Sequence, residues 1–180
     1  MNVVVLGFGP FLDVSDNPAA RLARAVNGCG ERVQIVGAEM PVSYRRARVR
    51  CVEMMTLYRP HLLLGVGVAR GRTAAMVERT AFAETTREDP DVDGDFGEME
   101  GPPSLMSVGA ESVAAALRLP LSDDAGRYVC NGWLYRALLD RFPAVFLHIP
   151  PAGFAPDTLI EGIERWAAFM KEEPAVESAG

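Results

Sequence analysis

Histidine and cysteine are scarce in this chain: its 180 residues include 2 histidines and 3 cysteines. Cys29, Cys51 and Cys130 are odd in number and widely spaced, with neither a CxxC pair nor the histidine partners of a zinc site, so no disulfide framework or structural zinc is expected. Long apolar runs are missing too, and none approaches the roughly 20 residues of a membrane helix. Positive charge is not in excess. Lys+Arg 18 against Asp+Glu 24 gives a formal net charge of −6, which leaves no basic surface to hold phosphates. Neither nucleic acid nor membrane is an expected partner. The apolar stretch Val3 to Leu6 follows Met1-Asn2 without a basic segment and is too short for a signal-peptide core, so the expected location is cytoplasmic, with reduced thiols.

What is present fits a globular chain, with 49% hydrophobic and 23% charged residues and a length that suits one domain. That domain is expected over residues 1–171, with 172–180 as a frayed tail. Val3 to Leu6, Val33 to Val36, Leu62 to Val66 and Ala144 to Ile149 read as buried strands, and Met76 to Phe82 as a strand interrupted by Glu78 and Arg79. Helices are expected over Ala19 to Val26 behind an Asn17-Pro18 cap, from Ser43 to Leu57, and over Val108 to Leu117, Asn131 to Phe142 and Asp157 to Met170. The acidic, Gly- and Pro-rich stretch Glu84 to Pro103 reads as an exposed loop. Strands alternating with helices of this length predict an α/β fold, a three-layer α/β/α sandwich with a largely parallel sheet.

Gly7-Phe8-Gly9-Pro10-Phe11 follows the first strand, where a dinucleotide fingerprint would lie. Leu12 occupies the place of the third glycine and Pro10 removes an amide, so nucleotide binding is not expected. What remains is a tight turn at the carboxyl edge of a sheet, with Phe8 and Phe11 placed either to wall a small apolar slot or to join the core. Cys130 stands where a short apolar segment enters a helix. The positive helix end there would lower the thiol pKa, and its amides would suit an oxyanion; a buried structural thiol is the alternative. His148 closes an apolar strand at the same edge and can serve as base, or be a satisfied half-buried ring; His61 precedes its strand and faces the opposite edge. Glu78 can orient His148 as a third triad member, or pair with Arg72 or Arg79.

In sequence order, GFGPF at Gly7 to Phe11 with Asn17-Pro18, GRTAAMVERTAFA at Gly71 to Ala83, AGRYVCN at Ala125 to Asn131 and FLHIP at Phe146 to Pro150 resemble pyroglutamyl peptidase I, the pyrrolidone-carboxylate family of cysteine peptidases. The resemblance covers nearly the whole chain. It implies a three-layer α/β hydrolase that removes an amino-terminal pyroglutamyl residue from peptides without metal or cofactor, through a Cys-His-Glu triad mapping onto Cys130, His148 and Glu78. Phe8 and Phe11 would flank the lactam ring, with Asn17, Val68 and Arg72 as further substrate contacts, and a homo-oligomer, dimer or tetramer, is implied. The same triad acting on another small amide or acyl substrate, or a non-catalytic ligand-binding homologue, are the competing readings. The chain departs from the pattern at Val68-Ala69-Arg70-Gly71-Arg72, where members often carry Gln-Ala or Leu-Ala before a GGR segment. It departs again around Ala83-Glu84-Thr85-Thr86, and at Gly132, where a histidine often follows Cys-Asn.

Overall fold

Val3, Val4, Val5 and Leu6 have no solvent exposure, as a strand covered on both faces demands. They lie in β1 (Asn2–Phe8), followed by α1 (Pro18–Ala25), β2 (Gln34–Met40), α2 (Tyr44–Tyr58), β3 (Leu62–Val68), β4 (Met76–Glu78), β5 (Thr80–Phe82), β6 (Ser104–Met106), α3 (Ala110–Leu117), β7 (Leu121–Ser122), α4 (Val129–Leu139), β8 (Ala144–Ile149) and α5 (Pro156–Glu172). The computed structural model describes residues 1–11 and 15–172, so the expected tail beyond Glu172 lies outside the described residues. Among these, six strands form one sheet in the order β2-β1-β3-β8-β4-β7. β2, β1, β3 and β8 run parallel, whereas β4 is antiparallel to β8 and parallel to β7.

Alternation along each strand sends side chains to two cores. Val3, Val5, Leu64 and Leu147 meet Leu22 of α1, Val113 of α3 and Leu159 of α5 on one face. Val4, Leu6, Leu63 and Phe146 meet Met54 of α2 and Trp133 of α4 on the other. That is the expected three-layer sandwich. Local chemistry sets the helix ends: Asn17 accepts from the Ala19 amide at 2.9 Å behind Pro18, and Ser43 Oγ accepts from the Arg46 amide at 3.0 Å. No helix among the described residues is long and apolar enough to cross a membrane.

Several boundaries differ from the sequence expectation for physical reasons. The expected strand from Met76 to Phe82 is split at Arg79, whose amide donates to Ser122 O at 2.7 Å and whose carbonyl accepts from the Ser107 amide at 2.8 Å. Before this pivot the chain belongs to the main sheet. After it, β5 pairs antiparallel with β6 in a separate two-stranded sheet. β2 extends to Met40 because, at the sheet edge, it tolerates Gly37 and Glu39, and α4 starts at Val129, two residues early. The 84–103 loop is not simply solvated. Buried Asp91 accepts from the amides of Tyr44 at 2.8 Å, Asp93 at 2.8 Å and Asp95 at 2.9 Å, and Asp93 pairs with Arg46 at 2.8 Å, docking the loop on the start of α2.

Candidate active site

β8 delivers His148 to the carboxyl edge of the sheet, where it is 6% exposed. The imidazole packs edge-on against Phe146, with ring centroids 4.9 Å apart, and its Nδ1 lies 2.7 Å from Glu78 Oε1. An ionised carboxylate only accepts, so Nδ1–H is the donor of this bond and Nε2 is the ring nitrogen not engaged with Glu78. Glu78 is 0% exposed because β4 inserts it between β8 and β7.

Cys130 lies in the first turn of α4. Its sulfur sits over Gly67 of β3, where an added Cβ would come within 2.9 Å of Sγ, and Gly67 is the register partner of His148. A glycine is thus what lets the thiol reach the strand position beside the imidazole. Asn131, fully buried, holds this helix turn in place: Oδ1 accepts from the Phe82 amide at 2.8 Å, and Nδ2 donates to the carbonyls of Phe82 at 2.9 Å and Glu84 at 3.0 Å. An asparagine in a first helical turn was the available signal for this clip, since such residues favour caps and local backbone bonds over helix interiors.

The thiol and the imidazole border one cavity of about 280 Å³. Phe8, Phe11, Asn17 and Val68 border it as well, while Arg72 does not. Phe8 is both wall and core, 2% exposed and 6.1 Å from Phe146 between centroids, a burial that contributes about 1.5–3 kcal/mol. Phe11 is half-buried at the mouth, 6.3 Å from the Tyr128 ring, with the Arg70 guanidinium 5.4 Å from its centroid. Asn17 spends its side chain on the local turn, donating to Gly9 O at 2.8 Å besides capping α1. Arg72 lies behind the carboxylate instead: Nη1 is 2.5 Å from Glu78 Oε1, and Nη2 donates to Ser122 Oγ at 3.0 Å and Asp124 O at 2.9 Å. Glu78 therefore meets two of the three partners weighed for it, His148 and Arg72, while Arg79 pairs with Asp123 instead.

Val42, Asp89 and Tyr128 border the cavity and were not singled out in the sequence. Burial, with the carboxylates of Asp91 and Asp89 beside it, pushes the Tyr128 phenol up, so this wall stays uncharged while its hydroxyl donates to Pro90 O at 2.9 Å. Burial also pushes the Cys130 thiol up to about 12, Glu78 adding to the rise and the residue's own amide opposing it. This corrects the expectation of a lowered thiol pKa: desolvation and a nearby carboxylate outweigh the helix terminus. A thiol raised in this way needs a base to react near neutral pH.

Asp89-x-Asp91-x-Asp93-Gly94 followed by Glu100 also has the spacing of a calcium loop. The Asp91 and Asp93 carboxylates are instead committed to main-chain amides, Ser43 and Arg46, and no cluster of three metal-competent groups forms among the described residues.

The sequence profile described as pyroglutamyl peptidase matches residues 1–177. The chain belongs to the pyroglutamyl peptidase family. The pyrrolidone-carboxylate peptidase of Pyrococcus furiosus is 29% identical over 182 residues, covering 91% of this chain and 86% of that protein. That of Streptococcus suis is 29% identical over 178 residues, covering 89% and 81%. The structure of the pyrrolidone carboxyl peptidase from Thermococcus litoralis superposes with a TM-score of 0.80 over 96% of each chain at 21% identity, which is an agreement of fold. Within the pyroglutamyl peptidase family, the glycine at 132 has a local reason here: a Cβ would lie 2.6 Å from Met99 Cε and 2.7 Å from the Tyr44 ring, so those two side chains fill the space a larger residue would use.

Proposed function

We propose that the protein is a cysteine omega-peptidase that hydrolyses an N-terminal pyroglutamyl residue from peptides, with Cys130 as nucleophile, His148 as base and Glu78 as its orienting acid. The observation carrying this reading is that Cys130 and His148 line the same cavity, with Glu78 Oε1 2.7 Å from His148 Nδ1. His148 Nε2 takes the thiol proton as sulfur attacks the pyroglutamyl carbonyl, and the protonated ring then passes that proton to the departing amine. Water, deprotonated by the same nitrogen, cleaves the thioester and releases pyroglutamate. Amides of the first turn of α4, which lack intrahelical acceptors, are placed to stabilise the tetrahedral oxyanion.

Phe8, Phe11, Val42, Val68 and Tyr128 give the cavity apolar walls. They suit an uncharged lactam and oppose a free amino terminus, whose desolvation costs several kcal/mol. This reading places the whole site in one domain over residues 1–171, acting on small peptides in the cytoplasm as a homo-oligomer, with no cofactor among its steps.

Release of aminocoumarin from a pyroglutamyl conjugate tests the reading. The wild type should turn it over, and Cys130→Ala should lose about 10⁵-fold or more of kcat. Equal rates for the two proteins would reject the assignment. Arg70 and Asp89 bring charge to the cavity border, which favours including acetyl and prolyl conjugates as competitors for the second reading, the same triad acting on another small amide.

A further inference from the structure

One oxygen of Glu78 serves two donors. Oε1 meets His148 Nδ1 at 2.7 Å and Arg72 Nη1 at 2.5 Å, while Oε2 is buried without a hydrogen-bond partner. A carboxylate that is 0% exposed and half-unsatisfied is costly to keep charged without a cation held against it. Arg72 is 23% exposed in its side chain and is itself fixed at its far nitrogen by Ser122 and the Asp124 carbonyl, so its charge is held on the carboxylate rather than swinging in solvent.

We propose that Arg72 is a positioning residue that keeps the Glu78–His148 pair one proton short, so that His148 Nε2 arrives at the reaction with its lone pair free of hydrogen. This rests on the triad assignment above. With Arg72 present, the pair holds a single proton, on Nδ1, shared toward a carboxylate already neutralised from its other side. Without Arg72, the buried carboxylate draws one further proton from solvent into the pair. That proton lies either on Glu78, which then donates to Nδ1 and forces the ring into its Nε2–H form, or on the ring itself as imidazolium. In both arrangements Nε2 carries hydrogen and no longer accepts from the Cys130 thiol.

The other charged groups nearby do not replace Arg72. From α4, Cys130 lies close enough to feel the Glu78 charge, and Arg136 is held by the Glu98 carbonyl. Arg79, next to Glu78 in sequence, turns away to Asp123 at 2.6 Å and Glu111 at 3.7 Å. Arg127 is held by Glu84 at 2.9 Å and Asp124 at 2.8 Å, and Arg70 lies over Phe11. Asp89, on the cavity border, adds negative charge.

The test compares Arg72→Met, Arg72→Gln and Arg72→Lys by the pH profile of kcat/KM and by nitrogen NMR of histidine-labelled protein. The chain has only 2 histidines, and His61 is an internal reference because its Nδ1 accepts from the Asn2 amide at 3.2 Å, the opposite pattern to His148. Arg72→Met should move the acid limb upward by about one pH unit or more, an order of ~10-fold or greater loss near pH ~6 that recovers as pH rises. His148 Nε2 in that variant should show a bound proton at neutral pH. Arg72→Lys, which restores the charge, should return both readouts toward wild type, and Arg72→Gln, which restores only a donor, should not. If Arg72→Met does not fold, the Gln and Lys variants carry the same contrast. An unshifted acid limb together with an unprotonated Nε2 in Arg72→Gln would overturn the proposal, even if melting temperature fell. Should the wild type fail to cleave a pyroglutamyl conjugate, the peptidase reading fails while the NMR arm still decides the role of Arg72.

Discussion

At the carboxyl rim of the sheet, a cavity of about 280 Å³ gathers Cys130, His148 and two phenylalanines, while at the opposite rim a larger one of about 460 Å³ is lined by His61, Leu105, Val108, Phe142 and Trp166. Both have a histidine and apolar walls. The difference lies behind the ring: His148 Nδ1 meets a fully buried carboxylate, whereas His61 Nδ1 accepts from the Asn2 amide and no carboxylate borders its cavity among the described residues. Volume therefore does not select the reactive rim. A buried charge that fixes a tautomer does, because the ring acts as a base only if the nitrogen facing the cavity is the one without hydrogen.

The largest effect that would break this contrast is at His148 itself. His148→Ala should lower kcat by about 10⁴-fold or more, read as aminocoumarin release at saturating substrate. Gly67→Ala comes next. Its methyl would meet Sγ and Phe146 at 2.9 Å, so the thiol must shift, and a displacement near 1 Å costs about 100-fold in kcat with a smaller change in KM. Alkylation of Cys130 by iodoacetamide, followed site by site with mass spectrometry, sharpens the protonation argument. With the thiol pushed up to about 12, its thiolate fraction rises roughly tenfold per pH unit through the neutral range, so the rate should climb without a plateau. A flat rate across neutral pH would show a thiolate–imidazolium pair instead. Smallest of all, His61→Ala should change kcat/KM by less than about twofold.

The sheet and the residues proposed as the triad were legible in the sequence because each rests on a short-range signal. Val3 to Leu6 and Ala144 to Ile149 are continuous apolar runs, Asn17-Pro18 and Ser43 are cap signatures, and Cys130 and His148 stand at the ends of such runs. The pivot at Arg79 was not legible, since β7 is 2 residues long and β5 and β6 are 3 each, too short for any period to register. Arg72 was expected at the substrate on the family resemblance alone; which side of Glu78 it occupies depends on where β7 passes, a tertiary fact. The rise of the thiol's pKa was not legible for a related reason. A helix terminus is visible in a sequence, whereas the desolvation opposing it comes from residues distant along the chain.

The Asn131 clip joins the first turn of α4 to Phe82, and so spans the two chain segments bearing sulfur and carboxylate. It acts as a ruler between the Cys130 and Glu78 segments, placed inside the point where the long acidic loop departs. Residues added to or deleted from that loop beyond Glu84 leave the ruler's length unchanged, which gives the molecule a stretch of chain free to reshape the approach to the cavity while the distance between its reacting groups is conserved.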